Sequence, residues 1–123
     1  IPKTMQGRSW KLLLEGKATD WRKEYYYEYF SEKGFGSPHV RAIRTEQAKL
    51  IKYPNHDEWT EMFDLSADPY ETKNLINDPE HAGLRLKLES EFKKQAVAIG
   101  CDFSEPIVEY EPAPERKKRG RRK

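Results

Sequence analysis

A single cysteine, Cys101, stands among the 123 residues, so no disulfide can form within the chain and the fold must be held by packing and hydrogen bonds. No His, Lys or Arg adjoins it in sequence to depress its pKa, and it reads as a buried or half-buried free thiol. Long apolar runs are also missing. Nothing approaches the roughly 18 consecutive apolar residues that cross a bilayer, which excludes a membrane-spanning helix. The opening Ile1-Pro2-Lys3 has neither an initiator Met nor a secretory leader, and the expectation is a piece cut from a larger protein. The length suits one domain with one modest core and is short for an enzyme that must enclose a substrate. There is no internal repeat and no Asp/Asn-rich twelve-residue loop of the calcium-hand type.

What is present in quantity is charge. Charged residues make up 36% of the chain, as many as the hydrophobic ones, a polar balance for a free-standing domain. The net charge of +2 hides an uneven distribution: Glu115 to Lys123 holds seven Lys or Arg against one Glu, whereas residues 1–114 hold 16 basic against 20 acidic. The run Arg116-Lys117-Lys118-Arg119-Gly120-Arg121-Arg122-Lys123 repels itself and has nothing apolar to bury, so a solvated tail is expected. Such a tail could also hold a nucleic acid or a polyanionic glycan by counterion release, which makes a small interaction module the alternative function.

Periodicity divides the chain into three parts. Residues 1–20 are a lead-in in which Ser9 can cap a short helix through Trp10, Leu12, Leu13 and Leu14, ended by Gly16. Residues 21–100 form an α+β unit. Trp21 to Phe30 alternates as a strand, with Tyr25, Tyr27 and Tyr29 on one face and Tyr26, Glu28 and Phe30 on the other. After a Gly/Pro loop, Val40 to Thr45 and Ala48 to Tyr53 read as a hairpin, and Trp59 to Asp64 adds a third leg. The turn at Glu46-Gln47 lacks an Asn-Gly signature, which leaves room for a longer loop. Asp78 as cap and Pro79 as first helical residue begin one long helix to Ile99, ended by Gly100, with Leu84, Leu88, Phe92 and Ala96 in a stripe. The predicted architecture is a small antiparallel sheet of three to four strands with this helix on one face. The other face carries several Tyr and calls for a neighbour. Residues 101–123 are an extended Pro-containing segment and the basic tail.

Three segments recur in order at familiar separations: Trp21-Arg22 through Tyr27-Glu28-Tyr29, Ile43-Arg44-Thr45 through Lys49-Leu50-Ile51-Lys52-Tyr53, and Met62-Phe63-Asp64-Leu65 through Asp68-Pro69, Glu71 and Asn74-Leu75. This set resembles the C-terminal subdomain of the sulfatases, hydrolases of sulfuric esters in the alkaline phosphatase superfamily, over residues 5–98. The resemblance implies a C-terminal fragment that supports a catalytic domain and lines one side of its pocket, inactive alone. Calcium and formylglycine are expected in the missing catalytic domain and no cofactor in this chain, since Cys101-Asp102-Phe103-Ser104-Glu105 does not match the family's "C/S-x-P-S/A-R" nucleophile motif. Partners implied are that catalytic domain and a sulfated small molecule or glycan, with an exported or lysosomal parent.

The same resemblance makes His39 the candidate substrate-binding residue: it ends the Gly/Pro loop just before a strand, where family members reach over the pocket. An exposed loop histidine is the plain reading of the same residue. No catalytic or metal-binding residue is assigned. Asp64, Asp68 and Glu71 are expected to cap turn and helix amides, Arg44 and Lys49 to bridge to carboxylates, and His56 and His81 to lie solvated at the surface. The tyrosine-rich strand could serve as a stacking platform, but interleaved Glu24, Glu28 and Glu32 oppose a nucleic-acid groove. Packing of those rings against a partner is the stronger reading, and it predicts that the isolated chain self-associates.

Overall fold

The computed structural model describes residues 7–17, 20–31, 36–101 and 103. A short helix α1 (Lys11–Leu14) precedes four strands, β1 (Glu24–Tyr29), β2 (Val40–Thr45), β3 (Ala48–Lys52) and β4 (Glu61–Asp64), and a long helix α2 (Ala82–Ala98) follows. The strands form one antiparallel meander in the order β1-β2-β3-β4. This is the expected α+β layer, with the sheet at the upper end of the predicted strand count. The tail from residue 104 onward, including the basic run, lies outside the described residues.

Strand register explains the core. Tyr26 pairs with Ile43, Ile43 with Leu50 and Leu50 with Met62, so one apolar row crosses all four strands on a single face. Onto that row α2 lowers Leu88 and Phe92, with Ala48 and Leu75 completing the buried cluster. Ile43, Leu50, Met62 and Leu88 are essentially sealed from solvent, and each contributes about 1.5–3 kcal/mol by that burial. The Tyr26 and Phe92 rings meet tilted, with centroids 5.2 Å apart. The predicted stripe on α2 holds: Leu88, Phe92 and Ala96 are buried, and Leu84 packs at the cluster's margin.

Local chemistry closes each turn. Thr45 and Ala48 are separated by only two residues, without an Asn-Gly pair, because the Thr45 hydroxyl accepts from the amides of Gln47 (3.3 Å) and Ala48 (2.9 Å). Trp59, expected in a strand, belongs instead to a 3-10 turn Asp57–Trp59. Asn55 turns the chain there at a φ of 69°, and the His56 ring stacks on Trp59 at 3.9 Å. Likewise α2 is entered through a separate 3-10 turn, Pro79–His81, where the Asp78 carboxylate accepts from the Glu80 amide at 3.0 Å. That bond is the main reason the Asp78 carboxyl sits below its usual range. Gly100, at a φ of 71°, ends the helix in the left-handed conformation that a residue without Cβ adopts most easily.

The outer edge of β4 is not left open. The Leu75 amide donates to the Met62 carbonyl at 2.8 Å, and the Asn74 side chain accepts from the Met62 amide (3.0 Å) while donating to the Thr60 carbonyl (3.1 Å). Asn74 thus imitates a strand neighbour and blunts an edge that would otherwise invite pairing. Asp64 and Asp68 cap amides as expected, at Ser66 and Ala67 and at Thr72 and Lys73. Those amides, Lys73 foremost, hold the Asp68 carboxyl below its usual range. Glu71 does not cap an amide. Its backbone is left-handed, at a φ of 57°, and its carboxylate reaches over the sheet to Lys49 and, at 3.9 Å, to Arg44. The expected carboxylate partner of both cations is therefore this one residue, which propensity could not find because its backbone conformation is unusual for glutamate.

Candidate functional site

The two faces of the sheet differ in cover. One lies under α2. On the other, Tyr25 and Tyr27 stand 48% and 47% exposed beside the buried Ala42, and together with Val40 and Ile51 they rim a hollow of about 260 Å³ bounded by Arg44 and Lys49. Alternation in β1 places the tyrosines there, and the pairing of Tyr27 with Ala42 and of Ala42 with Ile51 supplies a small-residue floor beside them. Rings half in water over an apolar floor are suited to a protein surface laid against them. On the helix side, a larger cleft of about 500 Å³ opens between Tyr53, Phe92, Val97 and Phe103, with Arg41 and Lys52 at its rim. Burial and the Glu61 carboxylate push the Tyr53 phenol up to about 12.

His39 lies at the end of the sheet and is only 6% exposed, so the picture of a loop histidine in open solvent does not hold for the described residues. Its ring packs on Phe30 at 4.9 Å, and its Nε2 lies 3.4 Å from Oε1 of Glu28. That approach is off the line of a good hydrogen bond, so Nε2 is enclosed with the Glu28 carboxylate as a close electrostatic neighbour and no well-aligned acceptor. The same Oε1 is taken by Arg41, whose Nε donates to it at 2.5 Å. Burial first, and then the Arg41 charge, holds the His39 imidazole below its ordinary pKa, against an opposing pull from Glu28. That direction favours the uncharged ring at neutral pH.

Cys101 completes this group from the chain just beyond α2. Its Sγ lies 3.6 Å from the Tyr26 hydroxyl and 3.7 Å from Oε1 of Glu28. The thiol is half-buried and free. Burial, with the bond to Cys101, raises the Tyr26 phenol well above its ordinary pKa. Phe103 then covers the Arg41 guanidinium at 4.9 Å. Sequence reasoning selected His39 from this cluster and missed Glu28 and Arg41 as its companions. A signal was available: both charges fall on the same alternation parity as Tyr26 and Ile43, on adjacent strands, and opposite charges on a core-facing parity announce a buried pair. His56 and His81 also depart from expectation. Each is half-buried: His56, just before the 3-10 turn Asp57–Trp59, stacks on Trp59, and His81, the last residue of the turn Pro79–His81, has Nδ1 3.3 Å from Asp78.

No three His, Cys, Asp or Glu side chains among the described residues are grouped so as to hold a metal ion. Nor is any described helix long and apolar enough to cross a membrane.

Comparison with known proteins places this geometry. The family model described as N-sulphoglucosamine sulphohydrolase, C-terminal, matches residues 1–98. The chain is 38% identical over 116 residues to the N-acetylglucosamine-6-O-sulfatase of Bacteroides thetaiotaomicron, covering 88% of the chain and 21% of that protein. It is 35% identical over 81 residues to the arylsulfatase of Clostridium perfringens, covering 66% of the chain and 16% of that protein. Among solved structures, one in complex with its substrate D-glucosamine-2-N,6-O-disulfate superposes with a TM-score of 0.75 at 31% identity, over 84% of this chain and 22% of that one. A 2-O GAG sulfatase shares the fold, with a TM-score of 0.78 at 22% identity, over 91% of this chain and 24% of that one. The chain spans about a fifth of the length of the curated relatives it matches.

Proposed function

Because this chain belongs to the N-sulphoglucosamine sulphohydrolase C-terminal family, the C-terminal domain of sulfatases, we propose that its sheet buttresses a sulfatase catalytic domain and that its His39 end lines the substrate pocket. The observation that carries the buttress is the uneven cover of the sheet. An antiparallel sheet can leave one face to water, but it then alternates toward polar residues on that face; here Tyr25, Tyr27, Val40, Ala42 and Ile51 stand in those positions. Covering them removes apolar surface at about 25 cal/mol per Å², while Arg44 and Lys49 at the border supply polar contacts.

The substrates of the parent are sulfate esters of sugars, in keeping with the sulfatases that the chain matches. The described residues do not fit the groups such chemistry needs. Asp64 and Asp68 direct their carboxylates to their own turn amides, and the Cys101 thiol faces the Tyr26 hydroxyl and the Glu28 carboxylate in a sequence that lacks the family's nucleophile motif. Calcium and formylglycine are accordingly assigned to the catalytic domain, and hydrolysis is not attributed to this chain. Its share is to shape the pocket wall, with His39 as the side chain nearest that task.

The test separates the two faces of the sheet. Tyr25→Glu with Tyr27→Glu, introduced into the whole enzyme, should lower its melting temperature and its activity together, yet leave the melting of the 123-residue chain, measured at a dilution where it is monomeric, nearly unchanged. An unaffected enzyme, or an equal loss in the isolated chain, would sink the buttress.

A further inference from the structure

Glu28 approaches three polar side chains at the His39 end of the sheet: Arg41, His39 and Cys101. Its Oε1 receives the Arg41 Nε–H at 2.5 Å, lies 3.4 Å from His39 Nε2 and lies 3.7 Å from Cys101 Sγ. Arg41 and His39 are themselves only 4% and 6% exposed. The charged and titratable groups facing the imidazole are thus Glu28 from β1 and Arg41 from β2, which His39 directly precedes, with Phe30 against the ring and Phe103 closing over Arg41.

A neutral imidazole carries its proton on one nitrogen and a lone pair on the other, and the partner of one decides what the other offers. With a carboxylate oxygen 3.4 Å from Nε2, a lone pair on that atom would face negative charge, whereas an N–H there is attracted. Arg41 prevents Glu28 from turning away, because its guanidinium holds the same oxygen. Nδ1 lies across the ring from this contact. It therefore carries the lone pair.

The geometry points to Glu28, clamped by Arg41, as a positioning residue that locks His39 in the Nε2–H form, so that Nδ1 presents an acceptor to a hydroxyl or amide N–H of the substrate and not a donor to its sulfate. This rests on the pocket role proposed for His39 and adds the polarity of the group it recognises. An acceptor on a ring fixed by its neighbours rejects an analogue that lacks the matching donor more strongly than a flexible side chain does, because the ring cannot turn to offer another group.

Two measurements test it. Long-range ¹H–¹⁵N spectra of the 123-residue chain at neutral pH should show His39 as the Nε2–H tautomer, and Glu28→Gln should convert it to a mixture. In the whole enzyme, Glu28→Gln should raise KM about tenfold with kcat nearly constant, the loss expected from one misdirected hydrogen bond. The same variant should have little effect on the deoxy analogue that lacks the recognised donor. Should Glu28→Gln unfold the protein, the paired substitution Glu28→Leu with Arg41→Met removes both buried charges together and serves in its place. An Nδ1–H tautomer or an imidazolium in the unaltered chain overturns the lock. If His39→Ala raises KM while Glu28→Gln changes neither tautomer nor KM, the inference fails and the pocket role stands. If His39→Ala leaves KM unchanged, the pocket role fails and takes the inference with it.

Discussion

Burial of His39 beside Arg41 has a consequence for stability that can be read from its sign. The folded state holds the imidazole below the value of about 6.5 that it has in the unfolded chain, so the unfolded state binds more protons between those two values. The contribution is fully present above about pH 6.5 and is lost as pH falls toward the lowered folded value. Denaturant midpoints should therefore be level through the neutral range and decline below it, and His39→Gln should flatten that part of the decline. A decline of unchanged slope in the variant would assign it to other groups. Glu71 gives a different lesson at the same level of detail. Its residue type pointed to capping, yet a left-handed backbone aims it at Lys49 and Arg44, and only coordinates reveal such a turn.

Among the elements, α2 and β1 show how far periodicity reaches. The four-residue spacing from Leu84 to Ala96 identified the buried stripe, because a helix repeats its face at that interval whatever it packs against. Leu88 is 1% exposed and lies over the Ile43 and Leu50 row, whereas Leu86 is 69% exposed. Leu88→Ala should cost about 2–5 kcal/mol, and Leu86→Ala should stay within about 0.5 kcal/mol. Urea titration of both variants checks the contrast, and equal losses would mean that α2 is seated on another face. Boundaries were less legible. Trp21 and Trp59 have strand-forming side chains but stand outside the ladder, since register is settled by hydrogen bonding to β2 and β3 and not by side-chain type.

For the whole molecule, the governing feature is a sheet with one face under α2 and tyrosines on the other. In the chain alone that face meets water, and two copies can cover each other's rings. Sedimentation should show association that grows with concentration and weakens in Tyr25→Glu with Tyr27→Glu. A clean monomer at high concentration would count against an adhesive face. A polyanion-binding module built on the basic run Arg116 to Lys123 finds no support in the sulfatases that the chain matches, and the family model ends at residue 98.

Alternation and the four-residue helical stripe by themselves determined the α+β layer, the hairpin with its third leg, and the parity of β1 that carries Tyr25 and Tyr27. Those properties follow from local periods that the backbone imposes on any chain, while the place of β1 beside β2 came from the structure. Three short motifs in order, carried by the same elements, led to the sulfatase family. Tertiary structure alone decided that Glu28, His39, Arg41 and Cys101 meet, and that Glu71 answers Lys49 and Arg44. These residues are brought together by strand register and by the path of the chain beyond α2, and contacts across such separations leave no periodic trace in sequence.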